Sequence, residues 1–222
     1  MASHLDLQEQ EQIDQLKDFW KRWGSLITWL ITLVLAAFAG WQAWQWYQRD
    51  QGAKAAAMYG EFDRALQGQD LDKAAAAFGD LKARFASTGY TAQAGLQLAK
   101  LQQDKSKADD AKQSLAWVAG QGSEIAYQDI ARLRLAGLQL DAKQFDEAAK
   151  TLDAIKSPEF TALAADRRGD LLLLQGKRDE AKAQYQKALA GLEKAQDYRT
   201  IVESKLATLG VPTVVEAAGA AQ

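Results

Sequence analysis

The chain has no cysteine, two prolines and one histidine in 222 residues. Without cysteine there is no disulfide, no thiolate nucleophile, no cysteine–zinc site and no lipid-modified thiol. That absence leaves the compartment open, because a domain with an adequate core can be stable in an oxidising space without disulfides. The histidine, His4, stands in the N-terminal tail, so no serine further along has a histidine to activate it for acyl transfer. A basic excess is missing too. From Arg49 onward Lys+Arg and Asp+Glu each number 24, which lacks the imbalance that marks nucleic-acid binding. With only Pro158 and Pro212 as breakers, the long Ala, Leu, Gln, Lys and Glu segments favour helix. No alternating apolar and polar run bounded by turn residues argues for a strand.

Charge itself is missing from one place. Trp23–Gln48 is a run of 26 residues with no charged side chain. At about 1.5 Å per residue it exceeds the hydrocarbon core of about 30 Å. Leu26, Ile27, Leu30, Ile31, Leu33, Val34 and Leu35 form its centre. Trp20 and Trp23 lie toward one end, and Trp41, Trp44, Trp46 and Tyr47 at the other. Amphipathic rings prefer the headgroup level, so these six residues are the expected membrane-interface anchors. Lys17, Lys21 and Arg22 precede the run while Arg49 and Lys54 follow it, a bias toward a cytoplasmic N-terminus. Ala37-Phe38-Ala39 resembles a signal-peptide cleavage site. The apolar character continues past it through Trp46, which favours an uncleaved anchor. The expected organisation is a cytoplasmic tail (1–22), a transmembrane helix (23–48), a folded domain (49–210) and a disordered tail (211–222).

The folded part contains a repeat. Segments beginning at Asp72, Asp109, Asp146 and Asp179 each carry an acidic start, a fixed alanine and a bulky apolar residue four positions later. The alanines are Ala74, Ala111, Ala148 and Ala181, spaced 37, 37 and 33 apart, and the bulky residues are Phe78, Leu115, Leu152 and Tyr185. Upstream, residues 96–102 match 133–139 at the same offset of 37. A period near 34 built of two helices is the signature of a tetratricopeptide repeat. Gly169, twelve residues before Ala181, suits the small position of the first helix, where close packing is needed. Ser123 is a candidate N-cap for the helix starting near Glu124. Tyr198–Leu209 has the length of a capping helix, which a solenoid needs over its last apolar face. The expected fold is therefore all-α: a single N-terminal transmembrane helix followed by a tetratricopeptide-repeat-like α-solenoid.

Order and length carry a further likeness. A Gln/Glu-rich tail with Gln12-Ile13 and Phe19, an anchor with Gly40-Trp41 inside it and a tetratricopeptide-like domain follow one another. In this the chain resembles the bacterial ancillary subunit of the SecYEG translocon, the YfgM-like family. The resemblance implies a periplasmic domain that associates with Sec translocon subunits in the inner membrane. It also implies cooperation with periplasmic chaperones, notably a membrane-anchored peptidyl-prolyl isomerase.

Stacked hairpins line a groove with their first helices. The candidate groove positions are Leu96, Lys100, Leu133, Gly137, Asp166 and Asp170, facing a partner segment or an emerging extended polypeptide. Catalysis is not expected. Asp109-Asp110 and Asp146-Glu147 fall at the starts of helices, where carboxylates complement the helix dipole. No cofactor or metal is expected. Two other readings stay open: a tethered scaffold for another envelope-assembly or division complex, or a regulator acting through its cytoplasmic tail.

Overall fold

A computed structural model describes residues 7–193 and 197–211. The described residues are 86% helical, and no strand occurs among them. The helices are α1 (Leu7–Gln67), α2 (Leu71–Phe85), α3 (Gly89–Asp104), α4 (Ala108–Gln121) and α5 (Ile125–Asp141). They continue with α6 (Phe145–Asp153), a 3-10 turn (Pro158–Phe160), α7 (Thr161–Leu174), α8 (Arg178–Gly191) and α9 (Asp197–Thr208). His4 and the expected disordered tail, apart from Val211, lie outside the described residues. The chain divides into two compact units at Gln51/Gly52.

The first unit is the larger part of α1. Its apolar side chains are exposed all round: Trp29 is 72% exposed, Leu33 65% and Leu30 64%. A core helix of a soluble protein would bury one face. Among the described residues this is the one helix long and apolar enough to cross a membrane. Its two threonine hydroxyls are paired within the helix. The Thr28 hydroxyl donates to the Gly24 carbonyl at 2.7 Å and the Thr32 hydroxyl to the Thr28 carbonyl at 2.8 Å. A hydrocarbon surround requires such internal pairing.

The second unit stacks helical hairpins: the end of α1 with α2, α3 with α4, α5 with α6, and α7 with α8. The turn inside each hairpin is the same. Gln69, Ser106, Lys143 and Gly176 adopt positive φ values of 51°, 60°, 57° and 79°, at the 37, 37 and 33 spacing of the sequence repeat. After each, a backbone N–H reaches back across the helix end, from Asp70 to Ala65, Lys107 to Gln102, Gln144 to Gln139 and Lys177 to Leu172. This left-handed closure satisfies carbonyls that the helix end leaves open. It recurs at Gly210, 34 residues after Gly176, where Val211 donates to Leu206. The helix expected as a cap, α9, thus ends like the first helix of a hairpin.

The repeated alanines are the contact points. Ala74, Ala111, Ala148 and Ala181 are all 0% exposed. The residues twelve positions earlier (Phe62, Ala99, Ala136 and Gly169) are buried as well, and so are Phe78, Leu115, Leu152 and Tyr185. Asp72, Asp109-Asp110, Asp146-Glu147 and Asp179-Glu180 occupy the first turns of α2, α4, α6 and α8. Only α2 adds a side-chain cap, from Asp70 to the Lys73 N–H at 3.1 Å. Helix α5 begins one residue later than expected. Glu124, not Ser123, is its N-cap and makes no side-chain cap bond.

The shortened third spacing has a visible cause. Helix α6 stops at Asp153, and the loop after it is tied to α5. The Asp129 carboxylate, fully buried, accepts from the backbone N–H of Ser157 at 2.9 Å and of Lys156 at 3.3 Å. The Arg132 guanidinium pairs with its other oxygen at 2.6 Å. Burial alone would raise the Asp129 pKa, but the Ser157, Arg132 and Lys156 hydrogen bonds outweigh it and hold the carboxyl below its ordinary value.

Packing makes two glycines behave oppositely. A Cβ on Gly169 would fall 2.4 Å from Tyr185 Cε1, whereas one on Gly137 would meet nothing closer than the Arg167 guanidinium at 3.9 Å. Gly169→Ala is expected to destabilise by about 1–3 kcal/mol through overpacking. Gly137→Ala is expected to be neutral or to stabilise by up to about 1 kcal/mol through helix propensity. Thermal unfolding of the full-length variants in detergent checks the pair; equal shifts would contradict this packing.

Candidate functional site

The repeat arranges the first helices α3, α5 and α7 in columns, one residue per hairpin. Lys100, Gly137 and Asp170 form one column, Gln97, Arg134 and Arg167 another, and Leu96, Leu133 and Asp166 a third. A cleft of about 610 Å³ opens along these helices, lined by Lys100 and Gln103 from α3. Arg134, Gly137, Leu138 and Asp141 contribute from α5, and Arg167, Asp170, Leu173 and Leu174 from α7. Lys100, Gly137 and Asp170 from the expected set come together there.

The third column does not. Leu96 is 6% exposed and packs in the core with Ala92, Leu115 and Val118. Asp166 is 0% exposed. Leu133 is half-buried and lines a different cleft, of about 670 Å³, with Leu163, Leu192 and Tyr198. Rotation by one residue explains the difference. The polar column facing the opening is that of Arg134 and Arg167, one position after Leu133 and Asp166.

Asp166 and Asp170 instead hold α9. The Lys205 ammonium lies 2.9 and 2.8 Å from the two Asp166 oxygens and 2.7 Å from Asp170 Oδ1. The Tyr198 hydroxyl donates to Asp166 at 2.7 Å and the Tyr185 hydroxyl to Asp170 at 2.8 Å. Arg167 completes the set with a 3.2 Å bond to the other Asp170 oxygen. A buried carboxylate demands such pairing, since removing one partner of a buried pair costs several kcal/mol. Substituting Asp166 would therefore unseat α9 before it altered any surface. Burial first, and hydrogen bonding to the carboxylates second, push the Tyr185 and Tyr198 phenols well above their ordinary range.

Arg134 and Lys100 differ from these paired groups. The Arg134 side chain is exposed and donates to the Leu96 carbonyl at 3.3 Å. Lys100 is exposed and makes no ion pair among the described residues. The remaining cleft carboxylate is Asp141, also exposed. No group of three or more His, Asp or Glu side chains that could hold a metal occurs among the described residues.

The arrangement is chemically suited to holding a peptide segment: an open cleft lined by Leu138, Leu140, Leu173 and Leu174, with exposed charges at Lys100, Arg134 and Asp141. Its class is a helical-repeat interaction domain following a membrane-type helix. Comparison with known proteins gives the particular family. A tetratricopeptide repeat-like domain family matches residues 17–211. The ancillary SecYEG translocon subunit of Haemophilus influenzae is 30% identical over 182 residues, covering 82% of this chain and 89% of the relative. That of Neisseria gonorrhoeae is 29% identical over 213 residues, covering 94% and 100%. That of Escherichia coli is 30% identical over 181 residues, covering 80% and 85%. The chain belongs to the family of ancillary SecYEG translocon subunits, whose tetratricopeptide-like repeats make it an adaptor type.

The buried phenols set a pH dependence. Their folded pKa values lie above the unfolded value of 10.0. As pH rises past 10 the unfolded chain releases protons first, so this contribution to stability, complete below pH 10, is lost. Each phenol adds a slope of up to about 1.4 kcal/mol per pH unit. Urea unfolding between pH 9 and 11 is expected to show a shallower decline for Tyr185→Phe than for the parent. Identical slopes would contradict burial of that hydroxyl.

Proposed function

We propose that the protein is a non-enzymatic, membrane-anchored scaffold at the Sec protein-translocation channel, linking emerging secreted polypeptides to periplasmic chaperones. The observation that carries this reading is the likeness to ancillary SecYEG translocon subunits over 80–94% of the chain. The open cleft on α3, α5 and α7 supports it. Residues 1–22 form the cytoplasmic tail, 23–48 cross the inner membrane and 49–210 form a periplasmic domain. The charge bias of Lys17, Lys21 and Arg22 against Arg49 and Lys54 supports that orientation. Trp20, Trp23, Trp41, Trp44, Trp46 and Tyr47, all exposed, sit at the two headgroup levels.

A membrane-anchored periplasmic peptidyl-prolyl isomerase is the implied folding partner, as family resemblance suggests. The scaffold performs no reaction of its own. Its carboxylate pairs lie in the first turns of α4 and α6, where the helix dipole accounts for them. No histidine stands after residue 4 to serve as a base.

The test is crosslinking in intact membranes, purification of the full-length protein in mild detergent, and mass spectrometry of the adducts. Channel subunits together with a periplasmic folding factor are the expected partners. Cell-wall or outer-membrane assembly proteins without the channel would overturn the assignment.

A further inference from the structure

The face that carries the cleft has a second, apolar row. Tyr90, Tyr127 and Phe160 stand 37 and 33 residues apart, each seven residues before a member of the Gln97, Arg134, Arg167 column. On α3 and α5 seven residues are two helical turns on one face, about 10 Å, while Phe160 ends the 3-10 turn just before α7. Tyr90 is 39% exposed, and Tyr127 and Phe160 are half-buried. Tyr59 extends the row: its ring lies 5.6 Å from that of Tyr90, and its hydroxyl donates to Gln97 at 2.9 Å. An aromatic row thus runs parallel to a polar one across successive repeats.

Gln97 leaves the polar row neutral on α3, where the cation is Lys100, three residues further along. Lys100, Arg134 and Arg167 face Asp141 and Asp170 in the cleft. Asp170 is already engaged by Lys205, Tyr185 and Arg167. What remains for an incoming chain is Lys100 and Arg134 against the single carboxylate of Asp141. Residues from Arg49 onward have equal numbers of cationic and anionic side chains, so this excess is local to the face. A cation without a carboxylate partner beside an apolar shelf selects for the complementary charge.

We propose that this face binds an extended partner segment in which an apolar side chain is followed, about three residues on, by a carboxylate. At roughly 3.3 Å per extended residue, that spacing matches the two turns from Tyr127 to Arg134, with Lys100 about one turn beyond the equivalent position on α3. The inference rests on the scaffold reading and names the chemistry of its partner.

The test is fluorescence anisotropy on the full-length protein in detergent, using three labelled twelve-residue peptides. One carries leucine and phenylalanine, each followed by glutamate three residues later. The second replaces glutamate by lysine, and the third replaces the apolar residues by serine. The first is expected to bind at least tenfold tighter than either other, and several-fold weaker when salt rises from 50 to 500 mM. Lys100→Glu with Arg134→Glu is expected to weaken it at least tenfold and to improve the lysine peptide. Both side chains are exposed, and an unchanged Tm would verify that the fold is kept. Equal binding of the lysine or serine peptide, or an unaffected double variant, would overturn the proposal. If that variant still crosslinks to channel subunits while the parent lacks the peptide preference, the acidic chemistry fails and the channel assignment stands. If the parent shows the preference but never crosslinks to the channel, the acidic chemistry stands and the channel assignment fails.

Discussion

Close approach of two helices within each hairpin is the constraint from which the rest of the soluble unit follows. In the later three hairpins a small residue on the first helix (Ala99, Ala136 or Gly169) is buried with a bulky one on the second, most tightly at Gly169 and Tyr185, where a methyl group would fall 2.4 Å from the ring. The left-handed turn at Gln69, Ser106, Lys143 and Gly176 returns the chain at the same point each time. Together these fix the rotation of each first helix about its own axis. That rotation decides which column of α3, α5 and α7 meets the cleft and which is sealed in the core.

Two buried ionic groups adjust this plan. Asp129 fastens the early end of α6, allowing a 33-residue spacing where the others are 37. Asp166 and Asp170 dock α9 through Lys205 and two tyrosine hydroxyls. Replacing such groups with apolar ones could serve stability equally well; their effect here is to specify where short elements stop and dock. By neutralising Asp170, the second group also leaves the cleft with its cationic character. Packing at one end of the unit thereby sets the electrostatics of the surface beside it.

Period was legible in the sequence, and orientation was not. Ala74, Ala111, Ala148 and Ala181 recur with a strong small-residue signal, and all four are fully buried. The membrane-type helix was equally plain, because 26 uncharged residues have few other physical settings. Within the first helices the pattern is ambiguous, since Leu-Arg-Leu-Ala-Gly-Leu in α5 offers apolar residues to several faces. Leu96, Leu133 and Asp166 form a valid repeat column, yet packing buries Leu96 and Asp166 and leaves Leu133 half-buried in a different cleft. A carboxylate sealed by a lysine 39 residues away leaves no local trace. Tyr90, Tyr127 and Phe160 could have been found by applying the 37 and 33 offsets to aromatic residues.

The proposed engagement is through the first-helix face and not through the second helices behind it. The absence of cysteine does not bear on a photocrosslinking amino acid, which can be set singly at Gln103 or Leu174 in the cleft, or at the exposed Gln113 of α4 and Lys187 of α8. Illumination in intact membranes, with adducts identified by mass, compares the two faces directly. Adducts to channel or folding-factor subunits from Gln103 and Leu174, and none from Gln113 and Lys187, are the predicted result. Adducts confined to Gln113 and Lys187 would contradict engagement through the cleft.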